Sequence, residues 1–89
     1  MLNLLIVDDE YYTCEGLKVA IDWQKYGVTQ IDIARDGSEA LEFIENHRVD
    51  ILITDIRMKM LDGLDMIKIL RERGFNGQII VLGYIINRV

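Results

Sequence analysis

Four short apolar runs punctuate the chain: Leu2 to Val7, Val28 to Ala34, Ile51 to Thr54 and Ile79 to Leu82. Each has strand length, is rich in Leu, Ile and Val, and is bounded by Asp or Gly. Runs that are continuously apolar, without strict alternation, predict strands buried on both faces. Stretches of helical period lie between them. Cys14, Leu17 and Ile21 fall on one side of a first helix, with Glu15, Lys18 and Asp22 turned away. Asp36 followed by Glu39 is a capping pattern that opens a second helix, with Ala40, Leu41 and Ile44 inward and Glu42 and Glu45 outward. A third helix is expected to bury Leu64, Ile67 and Leu70 and to stop at Gly74, a residue free to take positive φ at a helix end. The order is βαβαβαβ, which requires right-handed crossovers and gives an α/β domain with helices on the faces of a parallel sheet.

Composition narrows the class. The 89 residues, 51% apolar and 28% charged with no proline, make one small globular domain spanning 1–89, without repeats, linkers or low-complexity segments. A chain of this size buries only about 60 to 65% of its unfolded surface, so its core is thin unless a partner adds to it. A net charge of −5 is the wrong sign for gripping a phosphate backbone and argues against direct nucleic-acid binding. The single cysteine, Cys14, cannot form an internal disulfide and reads as core, which suits a reducing cytoplasm. The opening MLNLLIV has no basic flank or cleavage site, so no signal peptide is expected there. No stretch approaches the roughly 20 apolar residues a membrane crossing needs.

Acids end two of the predicted strands. Ligands of an open parallel sheet gather beyond the carboxyl ends of its strands, where the strand order reverses. Asp8 and Asp9 follow the first strand and Asp55 follows the third, so the topology brings three carboxylates from distant sequence to one rim. Like charges so close repel, and such a site calls for a cation or for protons. Mg2+ suits an all-oxygen, octahedral donor set and bridges carboxylate to phosphate. A carboxylate facing that ion can act as a nucleophile toward phosphorus. Taken singly, Asp8 and Asp9 could instead cap the first helix, and Asp55 could merely close a strand. Their conjunction at matching strand ends favours the site. Asp62 with Gly63 reads as the start of the third helix, His47 as a solvated residue, and Trp23 and the tyrosines as packing or surface aromatics.

Three segments, LLIVDDE at 4–10, DILITDIRM at 50–58 and DGL at 62–64, resemble a bacterial response-regulator receiver domain. IDWQKYG at 21–27 is similar to receivers joined to AraC-type DNA-binding output domains. The resemblance covers essentially the whole chain and implies a flavodoxin-like receiver fold. It implies Asp55 as phosphoacceptor, Asp9 and Asp55 as direct Mg2+ ligands, Asp8 acting through water, and the backbone carbonyl of Arg57 as a further ligand. A histidine kinase would supply the phosphoryl group, and hydrolysis promoted by the domain would remove it. The chain would then be a signalling domain and not an enzyme acting on outside substrates.

The chain departs from the family pattern at several points. Receivers usually carry a proline where Lys59 stands here, and a Ser or Thr after the fourth strand, where this chain reads Val81, Leu82, Gly83, Tyr84. No lysine follows Lys68, and the family's fifth strand and last two helices are not expected within 89 residues. The sequence therefore predicts a C-terminally truncated receiver whose switching is weak. An uncovered edge at IIVLGYII, Ile79 to Ile86, is expected to associate into a homodimer. Two other readings are a non-signalling interaction module on a receiver scaffold and a magnesium-dependent phosphohydrolase. The latter lacks the second catalytic acid and the lysine such enzymes usually show.

Overall fold

Alternating strands and helices leave the chain few choices, because each parallel crossover must be right-handed. The structure is a computed structural model and describes residues 1–82. In chain order it runs β1 (Leu2–Val7), α1 (Tyr11–Ala20), a 3₁₀ turn at Trp23–Tyr26, β2 (Val28–Ala34), α2 (Gly37–Asn46), β3 (Ile51–Asp55), α3 (Gly63–Glu72) and β4 (Gln78–Leu82). All strand pairs are parallel, in the order β2-β1-β3-β4. The first crossover steps from β1 outward to β2, and the next two step the other way. Right-handedness then sends α1 to one face and α2 and α3 to the other.

The two faces carry separate apolar clusters. One joins Leu5, Val7, Leu52 and Ile79 of the sheet to Ala40 of α2 and Met66 and Leu70 of α3. The other joins Leu4, Ile6, Val28 and Ile53 to Cys14 and Leu17 of α1 and to Trp23. Trp23 Nε1 donates to Leu17 O at 2.9 Å, which ties the 3₁₀ turn to the end of α1. Among the described residues no helix is long and apolar enough to cross a membrane.

The helix caps follow the sequence pattern. Asp36 accepts from Glu39 N at 2.8 Å, while Glu39 Oε1 accepts from Arg35 N at 2.8 Å, so two free donors at the start of α2 are satisfied reciprocally. Asp62 accepts from Asp65 N at 3.0 Å and caps α3. Gly74 takes φ of 91° just past the end of α3, as its position predicts.

Three expectations require correction. Leu64 is 57% exposed and the buried residues of α3 are Gly63, Met66 and Leu70, because Gly63 closes on the Asp55 carbonyl oxygen and turns that side of the helix to the sheet. Ile21 lies beyond the end of α1, as its C-cap in extended backbone, and is exposed. The fourth run is a strand but is not buried on both faces: Ile80 and Val81 are 48% and 38% exposed, since β4 is an edge with β3 as its one partner among the described residues. The expectations for Gly83, Tyr84 and the rest of the IIVLGYII segment lie outside the described residues.

At the end of the sheet away from the acids, Asp50 binds β1 to β3. Its Oδ2 accepts from Asn3 N at 2.8 Å, its Oδ1 accepts from Arg48 Nε at 3.1 Å, and its own N–H donates to Asn3 O at 2.8 Å. The Asn3 N–H, with help from Arg48, holds the Asp50 carboxyl below its ordinary value of 3.8. A carboxyl lowered on folding stabilises the fold above its unfolded value, and that stabilisation disappears as pH falls through the lowered value. Thermal melts should therefore show Asp50→Asn below wild type by a constant margin at pH 5 to 7, with the gap closing as the pH drops below about 3.8. A margin that does not change with pH would rule out a charge-dependent role.

Candidate metal centre

The register of the inner strands builds the acidic rim. Val7, the last residue of β1, stands opposite Thr54 of β3, and Asp8 N donates to Ala34 O of β2 at 3.1 Å. The chain therefore leaves β1 directly beside Asp55, at the point where the strand order reverses. One carboxylate oxygen from each of Asp8, Asp9 and Asp55 lies within 4.8 Å of the others. Asp8 is buried, Asp55 half-buried and Asp9 exposed, so the cluster runs from the core out to solvent.

Local hydrogen bonds orient two of them. Asp8 Oδ1 accepts from Glu10 N at 2.9 Å, and Asp55 Oδ1 accepts from Ile56 N at 2.8 Å. Neither Asp8 nor Asp9 is the N-cap of α1: Glu10 is, and its side chain makes no capping bond. The capping alternative thus reduces to one short turn at Asp8. Burial raises the Asp8 carboxyl above its ordinary value, the Glu10 N–H opposes this, and the charges of Asp55, Asp9 and Glu10 raise it further. Among the described residues, the ion pairs are Lys18 with Glu15, Arg48 with Asp50 and Arg73 with Glu45, and none reaches these three acids. A cluster of oxygen donors with surplus negative charge and no ion-pair partner among the described residues fits a hard divalent cation.

Arg57 and Lys59 are exposed in the loop between β3 and α3, just past Asp55. His47 is exposed at the far end of α2, stacked on Phe43, and belongs to no acidic cluster. Cys14 is buried in the core as expected, and its Sγ donates to Asp8 O at 3.6 Å. Burial, assisted by the Asp8 charge, pushes its thiol up to about 11, so it stays protonated and unreactive near neutral pH.

Sequence reasoning missed two neighbours of the site. Arg35 follows β2 at the same rim and shares a hollow of about 210 Å³ with Asp8, Asp9, Tyr11, Cys14 and Ile33. The signal was available, since Ala34 ends the second strand as Val7 ends the first. Gly63 was read only as part of a helix start. A Cβ there would collide with the Asp55 carbonyl oxygen, and Gly63 N donates to Ile56 O at 2.7 Å, so the glycine lets α3 close on the strand end. A larger hollow of about 350 Å³ lies between the far ends of α2 and α3, lined by Leu41, Ile44, Leu70, Arg73 and Phe75 among others, and none of the three acids borders it.

Comparison with known proteins agrees with this geometry. Residues 4–86 match the family described as Response regulator receiver domain. An uncharacterised response regulatory protein of Staphylococcus epidermidis is 39% identical over 82 residues, covering 92% of this chain and 32% of the relative. The chain therefore spans about a third of that relative's length. The two-component transcriptional regulator AraC of Clostridium phytofermentans superposes with a TM-score of 0.84 at 34% identity, covering 91% of this chain and 65% of that one. TrrA of Thermotoga maritima, solved in complex with Mg(2+)-BeF, gives a TM-score of 0.80 at 34% identity, covering 91% and 68%. The strand order β2-β1-β3-β4 is the flavodoxin-like order without its fifth strand among the described residues. A match across 83 residues, from 4 to 86, carried on a sheet whose switch point holds the acids, gives the assignment: this chain belongs to the response regulator receiver domain family.

Proposed function

We propose that this chain is the phosphoacceptor module of a two-component relay, with Asp55 as the residue that takes the phosphoryl group from a histidine kinase. The observation that carries this is the approach of Asp8, Asp9 and Asp55 to within 4.8 Å with none of them in an ion pair among the described residues. Asp8, Asp9 and Asp55, with the main-chain carbonyl of Arg57, would hold Mg2+; the likeness to TrrA, whose structure contains Mg(2+)-BeF, supports that choice. Bound there, the ion would offset charge on the acids and on the transferring oxygens. A carboxylate oxygen of Asp55 forms the new bond to phosphorus while the bond to the donor imidazole breaks, its electron pair returning to the ring nitrogen. Water later cleaves the acyl phosphate. The module works in the cytoplasm, beside a kinase that phosphorylates it there.

Switching is weak in this form of the domain. Val81, Leu82, Gly83 and Tyr84 stand where the family places a Ser or Thr, so the hydroxyl that would answer the phosphate is missing there. A scaffold kept only for association is the competing account, and phosphodonor labelling separates the two. With Mg2+ and acetyl phosphate, intact mass should show wild type gaining one phosphoryl group and Asp55→Asn gaining none. Wild type that stays unlabelled with metal present removes the phosphoacceptor reading.

Metal binding has its own readout. Mg2+ at about 100 times its Kd should stabilise wild type by roughly 2.7 kcal/mol in a urea titration. Asp8→Asn removes one of three crowded charges, so without metal it should melt above wild type and gain little from Mg2+. The reverse order of melting, with Mg2+ stabilising both alike, would place the ion elsewhere.

The exposed edge favours association as well. Ile80 and Val81 put apolar side chains on opposite faces of β4, and the strand has one neighbour among the described residues. We infer that two copies meet through this C-terminal segment as a homodimer. Light scattering at micromolar concentration should give twice the 10.3 kDa chain mass. A monomer would refute the pairing and leave the phosphoacceptor reading untouched.

A further inference from the structure

Two polar side chains are buried among the described residues: Asp8, which belongs to the acidic site, and Thr54, fully inaccessible in β3 one residue before Asp55. Packing gives no reason for the Thr54 hydroxyl. Its cross-strand partners are Val7 on β1 and Val81 on β4, so a threonine interrupts a row of valines, which share its β-branched form. Burying a hydroxyl is costly unless it is hydrogen-bonded. This one donates to the Asp55 carbonyl oxygen at 2.8 Å.

That carbonyl belongs to the peptide group whose other edge is the Ile56 N–H, and a peptide group is planar. The Ile56 N–H in turn donates to Asp55 Oδ1 at 2.8 Å. Turning the plane about the chain would therefore move the oxygen off the Thr54 hydroxyl and the N–H off the carboxylate together. Gly63 closes on the same carbonyl, where a Cβ would collide with it, and its N–H donates to Ile56 O at 2.7 Å. The peptide is thus held at its oxygen by Thr54, at its flank by α3, and spends its N–H on one carboxylate oxygen of Asp55. Among the described residues that is the one hydrogen bond to the Asp55 carboxylate, and it engages Oδ1 alone.

We propose that Thr54 is a positioning residue: its hydroxyl fixes the Asp55–Ile56 peptide plane, and through the Ile56 N–H that plane holds the Asp55 carboxylate in the orientation that attacks phosphorus. The inference rests on Asp55 being the phosphoacceptor. It assigns Thr54 no contact with phosphate or metal. The hydroxyl replaces a methyl that packing alone would prefer, and the orientation of the nucleophile is its function.

The test compares the 89-residue chain as wild type, Thr54→Val and Thr54→Ser, with Asp55→Asn as the blank, in Mg2+ and acetyl phosphate. Labelling rate is read by intact mass, Mg2+ affinity by calorimetry and stability by thermal melting. Thr54→Val keeps the shape and loses the hydroxyl, so it should label about tenfold more slowly, the effect of one hydrogen bond on a barrier, while melting no lower than wild type. Thr54→Ser keeps the hydroxyl and loses a buried methyl, so it should melt lower yet label at the wild-type rate and bind Mg2+ as wild type does. A purely structural threonine gives the opposite pairing. Equal labelling of wild type and Thr54→Val, or a Thr54→Ser variant as slow as Thr54→Val, overturns the proposal and leaves the phosphoacceptor reading standing. Wild type that takes no label overturns both, a pattern distinct from either. Should Thr54→Val not fold, Thr54→Ser against Thr54→Ala makes the same comparison.

Discussion

Like charges gathered in a half-buried cleft raise the free energy of the folded chain until something neutralises them. Here the backbone cannot relax the repulsion by moving the strand ends apart. Asp8 and Asp9 leave β1 and Asp55 ends β3, and these are the two inner strands of the sheet, paired from Leu4 with Ile51 to Val7 with Thr54. Separating the strand ends would mean breaking the ladder that also supports both apolar clusters. The strain therefore stays localised at the rim, where a divalent cation can relieve it. Stability and ligand affinity are linked: what disfavours the metal-free fold favours the bound one.

Most of the fold was legible because strand and helix signals rest on local chemistry. Leu2–Val7 and Val28–Ala34 end where the apolar runs end, and the caps at Asp36 and Asp62 satisfy the donors their positions predict. The three acids were legible for a different reason. A parallel sheet with a switch point sends the ends of its first and third strands to one place, so topology did the work of contact information. What escaped were choices between neighbouring positions on a helix. Leu64 and Met66 are both apolar, and their relation to the core depends on how α3 is turned about its axis, which a glycine's close approach to Asp55 decides. Thr54 was hidden by its own propensity, since a threonine among Ile and Leu is ordinary strand composition and only the hydroxyl's partner distinguishes it.

Among the described residues the sheet is unevenly covered, and the imbalance follows from the order of its strands. α2 and α3 pack together over one face, so Leu5, Leu52, Met66 and Leu70 are fully or almost fully buried. Among the described residues α1 and the 3₁₀ turn cover the other face, through Cys14, Leu17 and Trp23. Ile53 is still buried there, yet its partner one strand further out, Ile80, is half exposed. Burial thus declines across the sheet, from the inner strands to β4. The site sits at the well-covered centre, between β1 and β3, and so does not depend on the strand least supported by packing.

The loop from Ile56 to Asp62 shows how the chain manages without the proline its family usually has at the place of Lys59. Proline fixes φ and so limits the shapes a loop can take before it packs. Here the restraint comes from outside the loop's own backbone. Met58 is buried in the cluster under α2 and α3, which anchors the middle of the loop. Gly37, at the start of α2, donates its N–H to Leu61 O at 3.2 Å, and a Cβ on it would lie 2.5 Å from that oxygen. Gly63 closes the other end against Asp55 and Ile56. Two glycines and one buried methionine therefore do by packing what a proline would do by covalent restraint. Such packing holds only while both helices are in place, so the loop that carries Arg57 is as stable as the docking of α2 and α3 and no more. Cation binding at the acids and cohesion of that helical layer should accordingly rise and fall together.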